Sequence, residues 1–242
     1  MRLRAVARQL KDHSRTTYQR WMLRRYLLAF DRTVRAGRSP STRLLEHLIH
    51  AWGNEGWSAK TELLRSMLDW FPKTSGLVLE CGSGLSTLLL GCLASATGRE
   101  VRSLEHDVGW AERINEMLPR EASSSVEVFV TPIRPYNEFD WYSIDAVSPL
   151  PPVGFVVCDG PPGSTRGGRY GLAPVLKESL SPGCIVLLDD SHRPEERAIM
   201  ERWCRELAAT VVDRRETCSA LQIGAARDAD RTHNPRKGAG AQ

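Results

Sequence analysis

The stretch from Gly76 to Thr87 places a short apolar run, two glycines and hydroxyl residues in immediate succession. It reads Gly-Leu-Val-Leu-Glu-Cys-Gly-Ser-Gly-Leu-Ser-Thr, which predicts a buried strand, a tight turn and a helix that begins on hydroxyl residues. Because glycine has no Cβ, a ligand can approach the backbone of such a turn closely. The sequence therefore predicts a ligand site at the carboxyl end of this strand.

Two acidic residues constrain which ligand this loop would take. Glu80 ends the first strand, where we expect its carboxylate to face the ligand, repel a pyrophosphate and attract a cation. Glu105 ends the next apolar run 21 residues after Gly84, about the spacing at which an acid binds a ribose diol. Thr87 stands where the dinucleotide fingerprint has its third glycine. The pattern therefore favours a cationic nucleoside over a dinucleotide.

Two further apolar runs also end in acids. One leads to Asp159 and a Gly-Pro-Pro-Gly turn, and the other leads to Asp189 and Asp190. Runs that are apolar throughout are typical of parallel strands buried on both faces. Because parallel strands end at the same edge of a sheet, we expect the acids of all four runs to meet there.

Helical periodicity between these runs predicts an alternation of strands and helices, and hence a parallel sheet. The expected strands end at Glu80 and Glu105 or span 126–130, 153–158 and 184–188. The expected helices span 86–96, 110–118, 172–180 and 194–208. Two last strands, 210–212 and 220–223, are expected to form a hairpin.

In this order, the acid-x-Gly-x-Gly loop, the second acid and the later acid-ended runs resemble the class I S-adenosylmethionine-dependent methyltransferases. The resemblance covers about residues 76–224 and is closest to bacterial members of unassigned substrate. It implies an α/β fold, with a Rossmann-like, doubly wound, mostly parallel seven-stranded sheet, an antiparallel last hairpin and added N-terminal helices. It also implies an enzyme that uses S-adenosyl-L-methionine as its cofactor.

The resemblance carries the cofactor contacts of the family onto matching positions of this sequence. The glycine loop would wrap the methionine half of the cofactor, Glu105 would take the ribose hydroxyls, and His106 and Asp107 would flank the adenine. The full set of expected cofactor residues is Glu80, Cys81, Gly82, Ser83, Gly84, Ser86, Thr87, Glu105, His106, Asp107 and Asp159.

Methyl transfer also needs a group that takes the proton of the acceptor. Asp159, Asp189 and Asp190 resemble the acids that bind a divalent ion in metal-dependent O-methyltransferases of the catechol and sugar type, although that type commonly has Asp-Asn at the second strand end. The resemblance thus implies Mg²⁺ or another divalent cation at these three residues. His192 is an alternative base, because histidine ordinarily titrates near neutral pH. The expected catalytic residues are Asp159, Asp190 and His192.

Structural roles compete with these assignments. Acids at strand ends often cap the next helix, and residues 190–195 fit a helix entrance. Arg166, Arg169 and Tyr170 could contact an anionic or sugar-like acceptor, or the segment 163–168 could be only a mobile loop. Aromatic residues of the segment 132–152 could stack on an acceptor ring or pack beneath that segment. They are Tyr136, Phe139, Trp141 and Tyr142.

The first functional expectation is O-methylation of a hydroxyl on a small molecule or glycan. An alternative is an enzyme of the same fold that acts on RNA or protein and uses a basic N-terminal arm as a clamp. A third is a catalytically silent binding module, although such a module has no physical need for Glu80, the glycine pair and Glu105.

Charge is distributed unevenly along the chain. The formal net charge is +4, but residues 1–38 contain eleven Lys or Arg against two acids. This basic arm could contact nucleic acid or an anionic membrane surface, or it could dock on its own body through an apolar helical face. That face would contain Tyr18, Trp21, Met22, Tyr26, Leu27 and Phe30.

We expect four segments. They are a basic helical arm (1–38), helices that cover the sheet (39–75), the methyltransferase domain (76–224) and a disordered tail (225–242). Trp57, between the two covering helices, could close over the cofactor or serve as a packing anchor. No secretion signal and no apolar stretch of about 20 residues is present, and the six cysteines lack zinc-site spacing, so we expect a cytoplasmic location.

Overall fold

The structure is a computed structural model that describes residues 2–54 and 59–224, with side chains described from residue 17 onward. The predicted disordered tail and the expectation for Trp57 lie outside the described residues.

Helices and strands alternate through most of the described chain. The helices are α1 (Arg2–Arg35), α2 (Thr42–Trp52), α3 (Thr61–Trp70), α4 (Leu85–Thr97), α5 (Val108–Met117), α6 (Leu172–Leu176) and α7 (Pro194–Glu206). The strands are β1 (Leu77–Cys81), β2 (Val101–Glu105), β3 (Val126–Val130), β4 (Ile133–Pro135), β5 (Asp140–Tyr142), β6 (Val153–Cys158), β7 (Leu180–Leu188), β8 (Thr210–Arg214) and β9 (Ser219–Gln222).

Seven of the described strands form one sheet in the order β3-β2-β1-β6-β7-β9-β8. Strands β1, β2, β3, β6 and β7 are parallel, whereas β9 runs antiparallel to both β7 and β8. This is the predicted Rossmann-like sheet with an antiparallel last hairpin. The chain runs outward from β1 to β3 and then crosses back to β6. The strand order therefore reverses between β1 and β6, and open α/β sheets bind ligands beyond the strand ends at such a reversal.

The central strands form because their apolar residues can be buried on both faces of the sheet. Every residue of β1 and β6 is buried. Successive side chains of a strand point to opposite faces, so Val78 packs in a cluster with the N-terminal helices and Leu79 packs in a cluster with α6 and α7. With both faces covered, the strand ends and their loops are the part of the sheet that a ligand can reach.

Helix α1 packs on the body through Leu23, Leu27 and Phe30, which are buried in the same cluster as β1. The expected docking face is therefore partly wrong, since Tyr18 and Trp21 are 61% and 54% exposed. Residues 23, 27 and 30 share one side of a helix, and residues 18 and 21 lie on the opposite side. None of the described helices is both long and apolar enough to cross a bilayer. The four-segment division of the chain stays a prediction.

Three elements differ from the sequence expectations. The antiparallel hairpin of β4 and β5 was not among the expected strands, because its strands are three residues long and lack an alternating pattern. Helix α6 ends at Leu176, four residues before the predicted end at 180. Strand β7 begins at Leu180, four residues before the predicted start at 184. An irregularity in the β6 pairing lets Leu180 join the sheet opposite Val153, although Pro182 and Gly183 follow it.

Candidate active site

Glu105 joins the end of β2 to the glycine loop that follows β1. Its Oε2 accepts hydrogen bonds from the backbone N–H (3.1 Å) and hydroxyl (2.7 Å) of Ser83. Its Oε1 accepts from the backbone N–H groups of His106 (2.7 Å) and Asp107 (3.0 Å), and His106 Nδ1 also lies 3.0 Å from this oxygen. The two predicted loops thus meet at one nearly buried carboxylate. The Ser83 hydroxyl donates to this carboxylate at a position where the hydroxyl of a bound ribose would donate instead.

Glu80 differs from the expectation that its carboxylate faces the ligand. The side chain is fully buried, and its Oε2 accepts hydrogen bonds from the hydroxyls of Thr87 and Ser103, both at 2.6 Å. Thr87 in turn accepts from the backbone N–H of Gly84 (2.8 Å). Burial raises the pKa of Glu80 to about 7, against the opposing effect of hydrogen bonds from Ser103, Ser86 and Thr87. Glu80 therefore fixes the start of α4 from below the loop.

The two loop glycines are required for different reasons. Gly82 has φ +90°, and a Cβ there would come within 3.0 Å of the backbone nitrogen of Gly160, so close contact of two loops requires glycine. Gly84 has an extended φ of −178°, and a Cβ there would meet nothing closer than Ser86 Oγ at 3.9 Å. Neither the backbone nor a protein neighbour demands glycine at 84. A glycine at 84 leaves this space open to a ligand, and in this respect the loop fits the expected cofactor.

The other expected cofactor residues serve the loop in several ways. Asp107 caps α5 by accepting from the backbone N–H of Trp110 (2.7 Å), and Trp110 Nε1 donates to the carbonyl of Ser83 (2.9 Å). Cys81 is buried, and its carbonyl accepts from the backbone of Asp159 and Gly160. Ser86 and Thr87 are also buried, in the first turn of α4.

Sequence reasoning missed two residues of this region. Ser103 is the one uncharged polar residue of β2 and lies opposite Glu80 in the parallel pairing, so an isolated polar residue in an apolar strand was the available signal. Trp110 stands three residues after the capping residue Asp107, a spacing that predicts the helix start but not the contact with the glycine loop.

Asp159, Asp189 and Asp190 come together at the ends of β6 and β7, as their positions after these strands predicted. We call these three residues the acidic cluster. One carboxylate oxygen from each lies within 4.8 Å of the others. Asp189 and Asp190 are buried, whereas the Asp159 side chain is 27% exposed. Asp190 has a left-handed φ of 54°, which aspartate tolerates better than most residues.

A guanidinium group lies inside the acidic cluster. Arg169 Nη2 is 2.9 Å from Asp159 Oδ1 and 3.2 Å from Asp190 Oδ2, and it also donates to the carbonyl of Asp159 (2.7 Å). Nη1 donates to the carbonyl of Asp189 (2.5 Å) and lies 3.7 Å from Glu196 Oε1. Arg169 is only 3% exposed. The terminal nitrogens of Arg169 are therefore bonded to the protein itself, and its contact with an acceptor stays a prediction.

The neighbours of Arg169 also have structural partners. Arg166 donates to Asp140 Oδ1 (2.7 Å) and to backbone carbonyls between β4 and β5. The hydroxyl of Tyr170 lies 2.9 Å from a carboxylate oxygen of Glu206 in α7. These contacts fix both sides of the segment that presents Arg169.

Burial sets the protonation of the acidic cluster. It raises the pKa of Asp189 to about 8, with the charges of Asp159 and Asp190 acting in the same direction. Burial also raises the pKa of Asp159, against the opposing effects of the Arg169 charge and a hydrogen bond with Asp189. Burial therefore favours the protonated form of Asp189, and Asp159 is the least buried of the three carboxyl groups.

A divalent ion does not fit the cluster while Arg169 is in place. An ion bound to both Asp159 Oδ1 and Asp190 Oδ2 would lie near Nη2, which already contacts both oxygens. At about 3 Å, and with an effective dielectric constant of about 20, a divalent ion and a guanidinium repel each other by about 11 kcal/mol. The residues suit a guanidinium instead.

The two remaining catalytic candidates have different environments. Asp190 is paired with three cations, since Arg193 Nη1 lies at 3.0 Å and Lys60 Nζ at 3.9 Å in addition to Arg169. Its side chain makes no capping bond to α7, whose N-terminal capping residue is Arg193. His192 is exposed beside it.

The aromatic residues of the segment 132–152 mainly pack. Trp141 and Tyr142 are fully buried, and Phe139 is nearly so. Tyr136 stacks on Phe139 with ring centroids 5.1 Å apart. The Tyr142 hydroxyl is buried without a hydrogen-bond partner among the described residues, beneath Gly160.

No protein-family model and no curated protein sequence matches this chain. Its fold does match solved structures. A precorrin-6y C5,15-methyltransferase from Geobacter metallireducens covers 70% of this chain and 90% of its own, with a TM-score of 0.52 and 10% identity. A methyltransferase from Geobacter sulfurreducens covers 78% and 94%, with a TM-score of 0.52 and 14% identity.

A third match is a proposed caffeoyl-CoA O-methyltransferase from Staphylococcus aureus. It covers 77% of this chain and 93% of its own, with a TM-score of 0.52 and 12% identity. At these identities the likeness concerns the fold. The chain therefore has the fold of the class I S-adenosylmethionine-dependent methyltransferases, as its motifs predicted.

Proposed function

We propose that this protein is an S-adenosylmethionine-dependent methyltransferase that methylates a hydroxyl oxygen of a small molecule or glycan. The observation that carries the proposal is the contact between Glu105 and the glycine loop, which follows β1 beside the reversal of strand order. A ribose acid and a backbone with free space at Gly84 are thereby held side by side. The fold shared with methyltransferase structures supports the same conclusion.

The residues around the reversal would hold the cofactor. When bound, S-adenosylmethionine supplies an electrophilic methyl group on a positively charged sulfur. Glu105 would accept hydrogen bonds from the ribose hydroxyls, with the Ser83 hydroxyl giving way. The backbone at Gly84 would lie against the ligand, because no side chain fills the space there. The negative charge of Glu105 favours a cationic ligand over a phosphate.

Asp159 is the residue best placed to take the proton of the acceptor hydroxyl. It is the least buried member of the acidic cluster, and its own partial burial raises its pKa above the ordinary value, which makes its carboxylate a stronger base. Asp190 is less suited, because its charge is shared by three cations. His192 remains the alternative base. No metal ion is part of the proposal, because Arg169 fills the position between Asp159 and Asp190.

A second candidate function is methylation of RNA, with α1 as the binding arm. The observation that favours it is an exposed stack of Tyr18 and Trp21, with the Arg25 guanidinium 5.7 Å from the Trp21 ring. Exposed aromatic rings beside arginine can stack on unpaired bases. Trp21→Ala would then weaken binding of single-stranded RNA, and binding would fall steeply with salt. Salt-insensitive binding would exclude this candidate.

The six cysteines are free. Free thiols fit a reducing compartment, so we also propose a cytoplasmic location. Fractionation of cells that express a tagged full-length protein would check this location.

Isothermal titration calorimetry tests the proposed cofactor. We expect binding of S-adenosylmethionine and S-adenosylhomocysteine, and none of NAD. Glu105→Gln should weaken S-adenosylhomocysteine binding about 10- to 100-fold, since hydrogen bonds to a charged group contribute about 1.5–3 kcal/mol. Glu112→Gln, an exposed acid on α5, is the matched control and should bind as the wild type does. Tight NAD binding without binding of the adenosyl compounds would remove the proposal.

A further inference from the structure

We propose that Arg169 takes the place of a divalent cation in the acidic cluster, so that this cluster works without a metal ion. The cluster has the carboxylates that a metal site requires, and their oxygens lie close enough together to share an ion. The chain itself supplies the cation between them.

The guanidinium contacts the cluster through both of its terminal nitrogens, whereas its Nε is buried without a hydrogen-bond partner among the described residues. Nη2 reaches one carboxylate oxygen of Asp159 and one of Asp190, and both terminal nitrogens reach the carbonyls that follow β6 and β7. A planar fork with fixed donors suits this set of acceptors better than an ammonium group does. Arg169 therefore connects the two strand ends in the way that a bound ion would.

Arg169 is held in position by its surroundings as well as by its charge. The backbone of this segment is fixed on α7, because Trp203 Nε1 donates to the carbonyl of Tyr170 (3.1 Å). Gly171 lies against the ring of Trp141, where a Cβ would come within 2.6 Å. Both Arg169 and Glu196 are at most 3% exposed. Displacing the guanidinium would leave buried carboxylates without their cation.

The remaining cations could not replace Arg169 in this role. Arg193 and Lys60 approach Asp190 from the exposed edge, with side chains 48% and 50% exposed. Neither contacts Asp159 or Glu196 among the described residues. Without Arg169, Asp159, Asp190 and Glu196 would surround an unfilled negative site, which is the environment that a divalent ion favours.

This arrangement has one consequence that rests on the proposed function. Methyl transfer would proceed in the presence of a chelator, and the acceptor hydroxyl would lose its proton to a protein side chain without help from a Lewis acid. Added Mg²⁺ would not increase the rate.

Mn²⁺ binding tests the inference without reference to methyl transfer. The probe is MnCl₂, followed by the loss of the free-ion electron paramagnetic resonance signal and by thermal unfolding with and without the ion. We expect the wild type to bind Mn²⁺ no more tightly than millimolar. Arg169→Gln should bind one ion at least tenfold more tightly and should gain thermal stability from it, and Arg169→Gln/Asp159→Asn should lose that gain.

Arg169→Lys separates charge from shape. It keeps a cation between the acids, so it should exclude Mn²⁺ as the wild type does. Micromolar Mn²⁺ binding by the wild type that Asp159→Asn abolishes would overturn the inference, and this measurement needs no Arg169 variant to fold. A folded Arg169→Gln that gains no affinity for Mn²⁺ would overturn it as well. Failure of adenosyl binding would remove the proposed function and leave these results unaffected.

Discussion

Four of the five acids at the ends of β1, β2, β6 and β7 belong to two regions with different chemistry. At the ends of β1 and β2, Glu80 and Glu105 receive hydrogen bonds from hydroxyls and backbone N–H groups, which are neutral donors. At the ends of β6 and β7, Asp159 and Asp190 receive a guanidinium. The protein therefore balances the negative charge of the second region with a buried cation, whereas no buried cation pairs with the acids of the first region among the described residues.

The difference shows that an acid after a buried strand does not by itself define a site. What the acid can bind depends on the donors that the intervening loops bring to it. Neutral donors orient a carboxylate without balancing its negative charge. A buried arginine orients two carboxylates and balances their negative charge, so no metal ion is needed to balance it.

The largest expected effect is a loss of stability on substitution of Arg169 in the second region. Arg169→Met should lower the free energy of unfolding by about 3–5 kcal/mol, because removing one partner leaves buried carboxylates uncompensated. Urea denaturation at pH 7 measures the effect. Arg193→Met is the matched control, since Arg193 pairs with the same Asp190 from a half-exposed position. It should cost no more than about 1 kcal/mol.

Equal losses in these two variants would contradict the comparison. They would mean that Arg169 contributes as a surface ion pair does, although it is buried. The m-value of each urea transition should match that of the wild type, which would show that the variants unfold from the same compact state.

The next effect concerns pH in the first region. Burial raises the pKa of Glu80 from 4.5 to about 7, so the folded state holds a proton that the unfolded state has released over this range. The contribution of Glu80 to stability is therefore complete below pH 4.5 and is lost as the pH rises through about 7. The loss is about 3 kcal/mol. Glu80→Gln cannot ionise and should lack this part of the pH dependence.

Urea denaturation of the wild type and Glu80→Gln at intervals from pH 4.5 to pH 8 checks this prediction. The difference between the two proteins isolates Glu80 from the other groups that titrate. Glu112→Gln is a control in which an exposed acid is replaced on α5. Parallel curves for the wild type and Glu80→Gln would contradict the assignment of a raised pKa to Glu80.

Most of the fold could be predicted from the sequence because local patterns encode it. Runs such as Val153 to Cys158 are apolar throughout and have the length of a strand, and they alternate with helical patterns. Their order fixes a parallel sheet, and a parallel sheet gathers the acids at one edge. The meeting of Asp159, Asp189 and Asp190 was therefore predictable without knowledge of any loop path.

The partners of these acids could not be predicted in the same way. Arg169 reaches Asp190 from 21 residues away, along a turn whose course depends on contacts with Trp203 and Trp141. Glu80 likewise points into the protein because Thr87 and Ser103 offer it hydroxyls there. Spacing identifies which residues stand at a strand end, but the direction of a side chain depends on the donors around it.

The smallest expected effects concern the two glycines of the first region, Gly82 and Gly84, whose substitutions should have different effects. Gly82→Ala should lower the free energy of unfolding by about 2 kcal/mol, because its φ is +90° and the new Cβ would press on the backbone of Gly160. Gly84→Ala should change stability by less than about 1 kcal/mol, since its backbone is extended and its surroundings are open. The same variant should nevertheless bind S-adenosylhomocysteine about tenfold more weakly. Urea denaturation and calorimetry on both variants measure these values, and a Gly84→Ala protein with unchanged affinity would show that no ligand lies against residue 84.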